Sequence, residues 1–179
     1  MSLKRTVVIG TSCSGKTTFA RKLAAALRVP HIELDALHWL PNWVERTNEE
    51  FRSLVKESVA ADEWVADGNY SKTRDIVWSR ATAFIWLDYS FPVVLCRALS
   101  RTTRRVFDKE ILYSGNRETF RKAFLSRDSI LFWMLKTYRR RRREYPVLLN
   151  DLQSKDLEIR VFRKPEESQR FLSQVNRLE

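Results

Sequence analysis

Glycine and cysteine are both scarce in this chain: four glycines and two cysteines stand among 179 residues. The cysteines, Cys13 and Cys96, make no disulfide framework and cannot alone hold a structural zinc. No apolar run approaches the roughly 20 residues of a membrane span, because charges interrupt every stretch. The opening residues MSLKRTVVIG lack the apolar region and cleavage site of a secretory signal and read as the start of a strand. With 44% hydrophobic and 12% aromatic residues, disorder and low complexity are excluded. A chain of this length buries about 70% of its unfolded surface. The expectation is one soluble, cytoplasmic domain over residues 1–179, with no membrane association and an oligomeric state the sequence leaves open.

Acidic charge is lacking in one stretch. The chain carries a net +11, and residues 97–143 hold fifteen Lys/Arg against four Asp/Glu, which accounts for all of it. The remainder balances at 18 of each sign. A positive field confined to a quarter of the chain implies a polyanionic partner: nucleotide phosphates, nucleic acid or an anionic surface.

Short β-branched and apolar runs alternate with helical periodicity. Strands are expected at 4–9, 31–34, 64–66, 83–87 and 157–162. A helix carrying Phe19, Leu23 and Leu27 is stopped by Pro30. Thr47 and Glu50 form a capping box for a helix to about Ala61. Ser90 can cap the helix after the fourth strand, and a terminal helix starts near Glu166. This alternation indicates an α/β fold with a parallel sheet covered by helices on both faces. The stretch 105–145 departs from it and reads as a helical insertion over the carboxyl edge of the sheet.

The strongest motif is Gly10-Thr11-Ser12-Cys13-Ser14-Gly15-Lys16-Thr17, a complete G-x-x-x-x-G-K-[ST] between the first strand and an amphipathic helix. Its glycines let backbone N–H groups wrap phosphate oxygens at the helix N-terminus. Lys16 would bridge the β- and γ-phosphates, and Thr17 would place its hydroxyl on Mg²⁺. Two of the four glycines lie in this loop. A third, Gly68, follows the third strand in Asp67-Gly68-Asn69-Tyr70, at the edge where open α/β sheets bind ligands; a plain turn would need the same glycine.

Asp35 lies at the same edge, where a carboxylate can orient an acceptor hydroxyl, take its proton or hold a metal-bound water; a helix cap is the plainer role. His38 follows as an acceptor-site candidate, set against an ordinary structural hydrogen-bonder. Trp39 and Trp43 can stack on a base or sugar, or simply pack. Asp88 closes the apolar strand Phe84-Ile85-Trp86-Leu87 as a Walker-B aspartate would, pairing with Thr17 at a metal.

Arg97, Arg101, Arg104 and Arg105 recur three or four apart, and Arg117, Arg121 and Arg127 lie in the insertion. Such arginines can close over reacting phosphates, and Arg101, Arg105, Arg117 and Arg121 are the catalytic candidates. Arg139 to Arg143 are consecutive, circle the helix and read mainly as a solvated face.

These motifs together resemble a P-loop small-molecule kinase of the adenylate-, shikimate- and gluconate-kinase type. The narrower resemblance is to the bacterial DNA topology modulation proteins, an adenylate-kinase-related family. It rests on GTSCSGKTT (through Thr18), IELDALHW with Pro41-Asn42-Trp43, WVADGNYS with Arg74, WLDYS and SGNRE. It implies a P-loop NTPase sheet in the order 2-3-1-4-5, a mobile lid, and ATP with Mg²⁺ as cofactors. It also implies an adenine clamp, for which Arg101 and the Arg163-Lys164-Pro165 turn are candidates. The acceptor would meet Asp35, His38, Asp67, Gly68, Asn69, Tyr70 and Arg74. Tyr70-Ser71 departs from the Pro-Arg that nucleoside monophosphate kinases usually carry there.

The expectation is an ATP-dependent phosphotransferase acting on a small acceptor, a nucleotide among the candidates. Weak, salt-sensitive nucleic-acid binding through residues 97–143 would be a by-product of charge. The alternative is a nucleic-acid-binding or regulatory protein that keeps the P-loop as switch or scaffold.

Overall fold

The computed structural model describes residues 3–107, 113–116, 130–152 and 157–176. Its main sheet is parallel and five-stranded, from β1 (Arg5–Gly10), β2 (His31–Glu33), β5 (Trp64–Asp67), β6 (Ala83–Leu87) and β7 (Glu158–Phe162). Their order across the sheet is β2-β5-β1-β6-β7. Two short antiparallel strands, β3 (Trp39–Leu40) and β4 (Val44–Glu45), form a hairpin apart from it. Leaving that hairpin out of the count gives the expected 2-3-1-4-5.

Strand residues alternate between two cores, as the pleat requires. On one face Val8, Val65, Ile85 and Leu87 pack with Phe19 and Leu23 of α1 (Lys16–Leu27), Val94 of α5 (Phe91–Phe107) and Phe171 of α7 (Pro165–Val175). On the other, Val7, Ile9, Trp64, Ala66 and Phe84 meet Phe51 and Val55 of α3 (Asn48–Ser58) and Val77 of α4 (Arg74–Arg80). Trp64, Phe51 and Phe84 are fully buried, and each such side chain contributes about 1.5–3 kcal/mol of transfer free energy. Sequence periodicity placed these helices; α4 and the hairpin, both short, were not expected.

The helix α6 (Ile130–Asn150) belongs to both cores. Met134 and Tyr138 join the first, Tyr145 and Leu149 the second. It therefore crosses the sheet's carboxyl edge from one face to the other, over the loop that follows β1. The described parts of the 105–145 insertion are helical, with a 3-10 turn at Tyr113–Gly115 between them.

The second strand stops one residue earlier than expected. Leu34 turns into the core, 4% exposed, and opens the short helix α2 (Leu34–His38), which carries Asp35 in its first turn. Gly68 makes room for that turn. Its φ is +143°, and a Cβ there would stand 2.6 Å from Leu34 Cβ. Gly68→Ala should therefore cost about 2–4 kcal/mol through strain and overpacking, measurable as a lower midpoint in denaturant unfolding. A midpoint matching the wild type would show that the turn tolerates a side chain.

Candidate active site

The loop between β1 and α1 is built to receive an anion. Gly15 at φ +87° and Cys13 at φ +64° turn the backbone back on itself, a conformation that directs successive N–H groups inward. Gly15 offers α1 no side-chain cap, and the helix has no acidic residue in its first turn. Its leading N–H groups and positive dipole end thus face the loop's interior uncompensated. The hydroxyls of Thr11 and Ser14 are buried there without a hydrogen-bond partner.

Three arginines converge on this loop. Arg97 lies across the Tyr89 ring and donates from Nη1 to the Ser14 carbonyl at 2.5 Å. Arg101 Nη1 stands 4.0 Å from Cys13 Sγ, and its Nε is buried without a partner. Arg141 of α6, 8% exposed, directs Nη1 to Ser12 Oγ at 3.4 Å. Burial pulls the Arg141 guanidinium below its ordinary range, and neighbouring Arg140 adds to this. Among the described residues, none of the three forms an ion pair with a carboxylate.

Arg141 corrects the reading of the arginine run as a solvated face. Its neighbour Arg142 stays 46% exposed yet bonds the buried Asp88 through Nε at 2.8 Å and Nη2 at 3.1 Å. Arg139, Arg140 and Arg143 are exposed as well. The inward position had a signal in the sequence: Met134, Tyr138, Arg141, Tyr145 and Leu149 recur at helical spacing, and all five are buried. An arginine in register with an apolar stripe is held inside the fold. Two further bonds fix α6 in place. Tyr138 donates to the Tyr89 carbonyl at 3.1 Å; Tyr145 donates to Asn69 Oδ1 at 2.9 Å, while Asn69 Nδ2 reaches the Gly10 carbonyl at 2.7 Å.

Asp88 is thus engaged by α6 rather than by Thr17. Burial raises its carboxyl above the usual range, against the pull of Arg142. Thr17 donates its hydroxyl to Asp67 Oδ2 at 2.6 Å, and Asp67 Oδ1 meets His31 Nε2 at 3.0 Å. Asp67 is 2% exposed. The carboxylate beside Thr17 comes from the strand next to the P-loop strand in the 2-3-1 order.

The acceptor-site candidates divide. Asp35, half-exposed, accepts from the Tyr70 hydroxyl at 2.6 Å. Burial first, then the charge of Asp35, raise the Tyr70 pKa far beyond the ordinary range, so the phenol keeps its proton and stays a donor. Tyr113 makes a similar bond to Glu33 Oε1 nearby. Asn69 bridges the P-loop and α6, and Arg74 lies over the Trp78 ring. His38 is buried among Trp39, Phe51 and Tyr70, with burial lowering its pKa. Its Nε2 stands 3.7 Å from a carboxylate oxygen of Glu45. Trp39 and Trp43 pack edge to face. The hairpin carrying them is clasped by Ser114, which donates to the Trp39 carbonyl, and by Asn116, which bonds Leu40 and Trp43 backbone.

Pro165 begins α7 after β7, with Glu167 accepting from the Arg163 and Lys164 backbone N–H groups. Thr18 lies on α1, beyond Thr17. Arg105 is on α5, with its side chain outside the described part of the chain; Arg117 and Arg121 lie outside the described residues. No helix among the described residues is long and apolar enough to cross a membrane.

Comparison with known proteins gives the fold its class. A gluconokinase from Sinorhizobium meliloti superposes with a TM-score of 0.52 at 22% identity, covering 98% of this chain and 93% of that one. A shikimate kinase from Bacteroides thetaiotaomicron gives 0.58 at 13% identity, covering 98% and 97%. One from Acinetobacter baumannii, in complex with shikimate, gives 0.59 at 13%, covering 99% and 93%. No family model and no curated protein matches the sequence. The chain has the fold of the P-loop small-molecule kinases.

The two aspartates should respond differently to substitution. Asp88→Asn should lower Tm by about 2–8 °C, for a loss of ~1–2 kcal/mol in a chain of this size. It should leave any Mg²⁺ dependence of nucleotide binding intact. Asp67→Asn should remove that dependence. Calorimetry with and without Mg²⁺ separates them, and the reverse assignment would return Asp88 to the metal.

Proposed function

We propose that the chain is an ATP-dependent phosphotransferase that moves the γ-phosphoryl group to a hydroxyl of a small acceptor. The observation that carries this reading is the P-loop cradle itself. Its helix end is uncapped, the Thr11 and Ser14 hydroxyls are unpartnered, and three arginines face it, none ion-paired to a carboxylate among the described residues. A triphosphate supplies the missing negative charge. The kinase fold supports the reading, and the gluconokinase and shikimate kinases it resembles make small hydroxylated acceptors a reasonable class to test.

The residues fit Mg²⁺. Thr17 gives its hydrogen to Asp67, so its oxygen lone pairs are left for a cation. Asp67 is placed to hold a water of that cation. When bound, the metal would draw charge from the β- and γ-oxygens. Lys16 and Arg141 would stabilise the negative charge spread over the transferring group, with Arg97 and Arg101 on the rest of the phosphate chain. The acceptor oxygen attacks the γ-phosphorus as the bridge to the β-phosphate breaks. Asp35 takes the hydroxyl proton, and ADP leaves. Pro165 is the proposed adenine contact, with Arg101, which faces the P-loop beside Cys13, given to the phosphates instead.

A nucleic-acid role, as the narrower resemblance to the DNA topology modulation proteins suggests, would draw on the exposed Arg139, Arg140 and Arg143. Weak binding that falls steeply with salt is its expected form.

Screening sugar acids, polyols, nucleosides and nucleotides with Mg-ATP, and following ADP, tests the proposal. With the acceptor found, Lys16→Ala and Arg141→Gln should each lower transfer by about 10²-fold or more. Asp35→Asn should do so by about 10²-fold with ATP affinity nearly unchanged. Replacing Arg139, Arg140 and Arg143 with Gln should leave turnover within about twofold. No ADP with any acceptor, together with sub-micromolar DNA affinity that depends on those three arginines, would favour the nucleic-acid reading.

A further inference from the structure

We infer that His31 is a positioning residue for the cation side of the nucleotide site, acting through Asp67 on Thr17; this rests on the phosphotransferase reading. The three side chains form one hydrogen-bonded chain across β2, β5 and the start of α1. His31 Nε2 stands 3.0 Å from Asp67 Oδ1, and Thr17 Oγ1 stands 2.6 Å from Asp67 Oδ2. A carboxylate accepts only, so the imidazole presents Nε2–H to it and the threonine presents its hydroxyl hydrogen.

This arrangement fixes more than distance. With one partner on each oxygen, the Asp67 carboxylate is held against rotation about its own axis. The Thr17 hydroxyl hydrogen is committed to Asp67, so both lone pairs of that oxygen are turned from the carboxylate and left for a cation. Without His31, Oδ1 loses its donor and the carboxylate is free to turn. The Thr17 hydroxyl can then rotate and direct its hydrogen, rather than its lone pairs, toward a bound cation. Outer groups that orient a ligand in this way typically change metal affinity 10–100-fold.

A tie between strands is the plainer role for the same bond, yet the strands do not depend on it. The parallel ladder pairs His31, Ile32 and Glu33 with Val65, Ala66 and Asp67 through the backbone. Val65 N–H also bonds the Pro30 carbonyl at 2.9 Å. The imidazole is mostly shielded, with 15% of its side chain exposed, and Asp67 is 2% exposed. The bond is thus protected from competing water at the point where the P-loop's threonine is oriented.

The test is ATP affinity by calorimetry, in excess Mg²⁺ and again in EDTA, for the wild type, His31→Leu and His31→Gln. Wild type should bind Mg-ATP more tightly than free ATP. His31→Leu should lose about tenfold in Mg-ATP affinity, within the range for such outer groups, and change little in EDTA. His31→Gln, whose amide can donate to Asp67, should recover most of the loss. If His31→Leu does not fold, His31→Ser, too short to reach Asp67, takes its place. A leucine or serine variant that keeps the full Mg²⁺ enhancement overturns the inference, as does an equal loss with and without Mg²⁺, the mark of a merely structural tie. A wild type that binds ATP equally well with and without Mg²⁺ overturns this inference alone, whereas a wild type that binds no ATP removes the phosphotransferase reading on which it rests.

Discussion

Positive charge gathered at the mouth of one loop, with no carboxylate ion-paired to its arginines among the described residues, is the constraint on which this structure turns. An isolated guanidinium resists burial, and without a carboxylate the cost of removing it from water is only partly recovered. Here Arg141 is buried against the P-loop, Arg97 and Arg101 lie beside it, and α1 directs its uncapped N-terminus to the same point. The fold tolerates this because the sheet and two hydrophobic cores provide stability elsewhere. Cooperation among the positive groups, rather than any one of them, suits the loop to the multiply charged phosphate chain we propose for it.

The helix α6 brings the two halves of that receptor together. It packs into both cores, and its middle therefore has to pass above the sheet's carboxyl edge. Tyr138, Arg142 and Tyr145 bond to Tyr89, Asp88 and Asn69 along that edge. These three anchors leave Arg141 no choice of position between them. Asp88 thus acts on the site through the helix it holds, while Asp67, one strand away on the other side of β1, meets Thr17 directly.

Much of this is legible in the amino-acid sequence. The β-branched runs and the helical spacing of Phe19, Leu23 and Leu27 carry the alternation that defines the fold, and the P-loop residues carry its phosphate chemistry in their order. What escaped was whatever depends on contacts between distant segments. Asp67 and Asp88 both end apolar strands, and no local pattern says which of them lies beside Thr17; strand order decides it. His31 reads as an ordinary strand residue until β2 is placed beside β5. Arg141 was obscured by its four arginine neighbours, although the stripe of Met134, Tyr138, Tyr145 and Leu149 runs through its position. Tyr70 and Asp35, 35 residues apart, become a pair only because Gly68 allows Leu34 to pack close. His38, plausible as a ligand by its neighbours in sequence, is enclosed by aromatic rings.

We propose that the loop and its arginines together receive a polyphosphate. Titrating adenosine, ADP and ATP into the protein at fixed low ionic strength, in EDTA, tests it most directly. Affinity should climb steeply with the number of phosphates: adenosine near the detection limit, ATP tightest, and the ATP–adenosine gap narrowing as salt is added. Equal affinity for adenosine and ATP, or no binding of ATP at all, would contradict the account.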